Sequence, residues 1–344
     1  MTTAVAPPVA APGRAPEPEP RRRVVSRLNR TDRIFRGAAR GSGLAVLVIM
    51  SLVGVFLAYR GWQALRVAGP SFLTTERWQP DAGRGGFGIA AVLVGSVLIG
   101  LVAIALATPL AIGTGLYISE YAPVGLRRTL ISLVDLMAAV PSVVYGLWGF
   151  FLLQGHMLGV SRWIATYFGW IPIFRVDGVN PRDPLAAETS YTSSTLIAGM
   201  VVALMVAPIA CSVMREAFSQ APLGEREGAF ALGATRWGMI RTVVLPFGRG
   251  GIIGGTMLGL GRALGETITV FMIIAPIFVI QPHILANGGS SVAALIALKY
   301  GEASKLGISA LMAAGLALFL LTLVVNFIAS TIIARSRSGA QSEA

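Results

Sequence analysis

The sequence predicts an all-α, polytopic membrane protein with six transmembrane helices. Three observations predict it. First, 54% of the 344 residues are apolar and only 13% are charged, whereas an average soluble chain carries roughly 25% charged residues; the mean hydropathy is +0.71. Second, the apolar residues fall into runs of the length a helix needs to cross a bilayer. Third, the charges collect between those runs. Lipid offers unpaired N–H and C=O groups no hydrogen bonds, so such runs must become helices. They leave no room for a separate soluble domain.

Residues 1–40 form a basic tail, rich in Ala, Pro and Arg at its start, with PEPEP at Pro16–Pro20 and Arg21–Arg23. It cannot bury enough apolar area to fold and is expected to be disordered and cytoplasmic. The membrane domain is expected over 41–335, and a short cytoplasmic C-terminal tail over 336–344. Span 1 is Gly43–Tyr59. The glycine cluster Gly83–Gly88 in the loop after it lacks the Lys and Ser/Thr of a phosphate-cradling loop. Span 2 is Phe87–Ile118, with Pro109 late in it, where a kink or an exit is expected. Span 3 is Thr129–Leu153. Pro141 falls within it and frees a backbone carbonyl, which Ser142 is placed to answer; Asp135 lies near its start. In Gln154–Tyr191, Trp163, Tyr167 and Trp170 recur at helical spacing, which suits a helix in the headgroup layer. Span 4 is Thr192–Met214, span 5 Gly250–Ala275 and span 6 Leu306–Ala334. Six spans put both ends on one side, with Arg127, Arg128 and the segment before span 5, and the positive-inside rule makes that side the cytoplasm.

The net charge of +12 is nearly all arginine. In a soluble chain it would point to nucleic acid; here the charges flank spans and read as topology signals. Cys211 is the only cysteine, so no internal disulfide can form. Nothing suggests a metal, a cofactor or a nucleotide site, so any ATP chemistry belongs to a partner.

Between spans 4 and 5 lies EREGAFALGATRWGMIRTVVLP, within residues 216–248. Its fixed points are Glu227, Ala229, Gly233, Leu245 and Pro246. The pattern reads as two short helices meeting at Gly233, which can take a left-handed turn. Thr235 caps the second and Pro246 stops it. Glu225, Arg226, Glu227 and Arg236 offer charged handles; Ala229, Phe230 and Leu232 offer apolar ones. That mixture suits a surface pressed into a groove.

This spacing resembles the EAA loop of bacterial ABC importer permeases. The string LGRALGET at Leu260–Thr267 narrows the likeness to the phosphate-specific permeases of the PstC type. The resemblance implies the type I (MetI-like) importer fold and a location in the bacterial inner membrane. It also implies four kinds of partner: a homologous second permease of the PstA type, two copies of an ATP-binding subunit docked on the EAA segment, an extracytoplasmic phosphate-binding protein, and phosphate itself. The chain would then be no enzyme. An importer of another oxyanion, such as molybdate or sulfate, shares the EAA segment. An ATP-independent secondary transporter would leave it idle.

Arg262 and Glu266 are charges inside the expected span 5. A charge at mid-bilayer costs about 2.5–3.5 kcal/mol even on the lenient insertion scale. They can pair at i, i+4, in the weaker order. A self-neutralising pair gains little over two apolar residues, so they are assigned to a polar substrate pathway, where a guanidinium suits an oxyanion. Gly251, Gly255 and Gly259 stand four apart on the same span and permit close helix packing. They are placed either at the contact with a second permease or against the chain's own helices.

Overall fold

The computed structural model describes residues 30–82, 86–183 and 186–337. Of the two expected tails, residues 1–29 and 338–344 lie outside the described residues, as does Gly83–Gly85 of the glycine cluster. Residues 30–40 are helical and belong to the first helix, α1 (Arg30–Ala68). The chain divides into two compact units at Leu52/Val53. The first contains the N-terminal part of α1; the second contains the rest of α1 and every later element.

Among the described residues, six stretches are long and apolar enough to cross a membrane: Thr31–Leu73, Ala90–Tyr121, Ser142–Phe168, Thr195–Ser219, Arg236–Leu264 and Lys305–Ile332. Among the described residues there are no β-strands, only two isolated bridges. The six spans expected from the apolar runs are therefore present; the first runs well beyond Gly43–Tyr59 at both ends, and the third and fifth are bounded differently.

Span 2 is α2 (Ala90–Leu116), continued by a π-helical turn at Tyr117–Tyr121. It runs through Pro109 without ending there. The third span differs more. The helix α3 (Val124–Ala139) stops before Pro141, and the next helical stretch begins at Ser142: α4 (Ser142–Trp148), a π-turn and α5 (Gln154–Phe168) form one span. Pro141 is thus a boundary rather than a mid-span residue. Its ring disfavours a helical conformation at Val140, which is extended (φ −63°, ψ 130°). Tyr145, not Ser142, answers the carbonyl the break frees: its hydroxyl donates to Met137 O at 2.9 Å. Trp163 and Tyr167 consequently belong to the last turns of the span, not to a separate interfacial helix.

Span 4 is α6 (Thr195–Ser219), capped by Ser194, whose hydroxyl accepts from Ile197 N. Two short helices follow, α7 (Leu223–Ala231) and α8 (Arg236–Met239). A π-turn at Ile240–Val244 joins α8 to α9 (Leu245–Leu264), so span 5 starts at Arg236, well before Gly250. Pro246 lies in the first turn of α9 and does not stop the helix, because the wider turn before it absorbs the missing N–H. Span 5 also ends early, at Leu264. A break at Gly265–Thr267 precedes α10 (Ile268–Ile273), then a loop and α11 (Val292–Lys299). The last span is α12 (Lys305–Arg337).

The centre of the second unit is α6, which buries Ile197, Val201, Val202 and Val206 against Ile99, Ala103 and Ala107 of α2 and Ala263 of α9. In lipid, helices associate through close backbone approach and a few polar bonds. Both devices are present. A Cβ on Gly251 would meet that of Ala217, one on Gly255 would come within 2.9 Å of Ala210 O, and one on Gly259 within 2.5 Å of a Val206 methyl. The glycine row is therefore filled by α6 of the same chain, not by a second subunit. Among the polar bonds, Ser309 of α12 accepts from Ala64 N at 3.1 Å and donates to Arg60 O at 2.8 Å. Ser96 of α2 accepts from Val292 N at the start of α11.

Candidate functional site

Two regions carry the residues singled out above. The first is the α7–α8 segment. Gly233 adopts φ +84°, a left-handed conformation that strains any other residue. The hydroxyl of Thr235 accepts from Gly238 N at 3.1 Å and caps α8. These two residues fold the chain into a sharp elbow. Its two faces differ. Inward, Ala229, Met239, Ile240, Val244 and Leu245 pack against Leu116, Met214 and Phe218 at the ends of α2 and α6. Outward, Glu225, Glu227, Leu232 and Trp237 are exposed, Leu232 at 91%. Of the fixed points, Ala229 and Leu245 hold the segment down, while Glu227 and Gly233 face away.

Arg226 is not an outward handle. Its Nη1 lies 3.2 Å from the Glu120 carboxylate, in the π-turn that ends span 2, and its Nη2 donates to Phe218 O at 2.6 Å. The Glu120 and Arg226 side chains are only 5% and 17% exposed. A second contact runs parallel: the Arg236 guanidinium stands 5.8 Å from the Tyr121 ring centre. An acidic residue directly after the apolar run of span 2 is the local signal for Glu120, but its partner is distant in sequence.

The second region is the end of α9. Arg262 and Glu266 do not pair at i, i+4, because the helix ends at Leu264 and Glu266 falls in the break. Glu266 is buried and turns toward α10: its Oε1 accepts from Thr269 N at 3.2 Å and lies 2.9 Å from Thr269 Oγ1. The Thr269 hydroxyl also lies 3.0 Å from Ser142 O, so it has two acceptors for one proton. Glu266 thus caps α10 and sets its position beside the start of span 3. Arg262 is exposed and has no hydrogen bond or ion pair among the described residues. It lines an open groove of about 520 Å³ with Ile209, Met257, Leu258, Glu266 and Asn326. Asn326, a polar residue within the apolar run of α12, was not singled out; its isolation in LTLVVNFIAS is the signal that marks it. Asp135 is exposed on α3 and has no hydrogen bond or ion pair among the described residues. Among those residues, no cluster of His, Cys, Asp and Glu could hold a metal.

An exposed guanidinium beside a carboxylate at the end of a membrane helix can meet an anion. It offers a planar fork of donors, open on one side. The elbow, in turn, can be gripped from outside while its inner face stays bonded to two spans.

Comparison with known proteins places these features in a family. The family described as "Binding-protein-dependent transport system inner membrane component" matches residues 107–338. The phosphate transport system permease protein PstC 2 of Mycobacterium tuberculosis is 37% identical over 305 residues, covering 88% of this chain and 92% of the relative. The PstC protein of Mycobacterium leprae is 38% identical over 305 residues, covering 88% and 93%. Among solved structures, a bacterial alginate ABC transporter in complex with a pentasaccharide-bound periplasmic protein aligns with TM-score 0.55 at 16% identity, over 88% of this chain and 96% of that one. At that identity the likeness shows the fold alone, the type I ABC importer permease fold.

Proposed function

Because this chain belongs to the binding-protein-dependent transport system inner membrane components, we propose that it is a membrane permease subunit of an ATP-driven phosphate importer. The observation that carries this reading is Arg262, an unpaired guanidinium on a membrane helix, open to a groove. A bare charge there is costly unless water or an anion answers it. The curated relatives are named for phosphate transport, and a tetrahedral oxyanion suits the guanidinium fork. Arg262 takes the substrate in passing, and Glu266 holds α10 beside it. A pathway residue must also release its cargo, so tight binding and choice of substrate fall to an external binding protein.

In this reading residues 41–335 form the permease domain, with 216–248 as its coupling loop. One of two copies of an ATP-binding subunit grips the exposed face of the elbow at Glu227, Leu232 and Trp237, the other grips the second permease, and all ATP hydrolysis occurs on them. A homologous second permease completes the pathway. Both termini and the elbow lie in the cytoplasm, the side the arginines favour. Closure of the ATPases pushes the elbow as a rigid body and opens the groove to alternate sides.

The test is uptake of labelled phosphate into vesicles holding this chain with its partner subunits, competed with sulfate and molybdate. ATP-dependent uptake resisted by neither competitor is expected. Displacement by sulfate or molybdate would transfer the reading to that oxyanion, and uptake without ATP would end it.

A further inference from the structure

We propose that Arg226 and Glu120 form the tie through which motion of the α7 elbow reaches span 2. The inference rests on the coupling role given to the elbow above, but not on the identity of the cargo.

The elbow has covalent routes to only two spans. It follows α6 after three residues, Gln220–Pro222, and it runs through α8 and the π-turn directly into α9. A push on α7 therefore enters spans 4 and 5 through the backbone. Span 2 has no such route, since Glu120 and Arg226 are 106 residues apart. Yet α2 lines the same core as α6 and α9: Gly199 of α6 is pressed against Val102, and Thr108 lies 3.4 Å from Thr256 of α9. A rigid-body shift of spans 4 and 5 that left α2 behind would have to break this packing.

The guanidinium of Arg226 solves that geometric problem. One fork holds the carboxylate at the end of span 2 and the carbonyl of Phe218 near the end of span 4. Apolar contacts along the elbow's inner face can slide, being non-directional. A charge-assisted hydrogen bond fixes distance and angle. Burial removes the screening water that weakens exposed ion pairs. Three helix ends are thus held at one point, directly behind the exposed face of the elbow. Arg226 and Glu120 are positioning residues: they touch neither cargo nor nucleotide.

The test is hydrogen exchange on the assembled transporter with and without a non-hydrolysable ATP analogue, comparing wild type with the double variant Glu120→Ala/Arg226→Ala. The double variant leaves no uncompensated buried charge, the usual cause of collapse when one partner is removed. In wild type, the analogue should change exchange rates both in α7 and at Tyr117–Tyr121. In the double variant the α7 response should persist, while the response at Tyr117–Tyr121 falls at least tenfold. An equal response at Tyr117–Tyr121 in both proteins would overturn the tie. Cargo transported per ATP hydrolysed should fall at least tenfold in the double variant, with ATP hydrolysis retained. If the double variant fails to assemble, Arg226→Lys decides: it keeps the charge but loses the fork, and a response at Tyr117–Tyr121 reduced about threefold supports the tie, whereas a wild-type response refutes it. Exchange is read without cargo, so an error about phosphate would show in uptake alone and leave the exchange result standing.

Discussion

Two arginine–glutamate combinations in this chain behave in opposite ways. Arg262 and Glu266 are one helical turn apart in sequence and do not pair; Arg226 and Glu120 are distant in sequence and do. In the first combination the helix ends between the two residues, at Leu264, and burial commits the carboxylate to capping α10. Among the described residues the guanidinium is left without a partner. In the second, three helix ends converge and shut out water, so the charges have only each other and a backbone carbonyl. Spacing along a helix therefore governs a pair only while the helix continues. The free arginine suits a passing anion; the committed one suits a mechanical joint.

The largest expected effect tests the freedom of Arg262. Arg262→Gln removes a charged donor pair worth about 3 kcal/mol, so phosphate uptake should fall about a hundred-fold with assembly intact. Wild-type uptake would reduce Arg262 to a lipid-facing residue. Glu266 sharpens the contrast. Glu266→Gln keeps an acceptor for Thr269 N and should preserve the protection of α10 in hydrogen exchange. Glu266→Ala should loosen α10 by about 1–2 kcal/mol, the scale of a lost cap. If Gln and Ala were equally damaging, the charge rather than the cap would matter and a pairing with Arg262 would return. At the elbow, Gly233→Trp forces a left-handed conformation costing about 1–2 kcal/mol on a residue with a side chain. It should lower uptake per ATP hydrolysed while the spans stay folded, and Glu227→Lys should do the same through charge at the outer face. Unchanged ratios in both would count against docking at this surface. The smallest effect belongs to Thr235→Ala, which removes the α8 cap at a cost of about 1 kcal/mol. A slightly lower thermal midpoint with normal coupling is expected.

What the sequence made legible follows the range of the physics. Gly233 and Thr235 were readable because a left-handed glycine and a cap depend on neighbours a few residues away. The six spans were readable because apolar length is a local sum. The limits of spans 3 and 5 were not. Hydropathy runs smoothly across Pro141 and Gly265, whereas the backbone breaks at both. Pro246 misled in the opposite direction, since a π-turn lets the helix carry a proline that would otherwise end it. The glycine row announced close packing but could not name its partner, which is α6. The Glu120–Arg226 contact depends wholly on tertiary convergence, and no local pattern encodes it.

The central claim is that a push at the elbow moves a groove lined by Arg262. It is tested most directly by placing a cysteine there, Arg262→Cys in a Cys211→Ser background, in the transporter assembled with its ATPases. The rate of modification by a charged, water-soluble thiol reagent is then followed with and without ATP. The cysteine should react, and its rate should change at least tenfold between the two nucleotide states. A cysteine that never reacts, or reacts at one rate in both states, would contradict it.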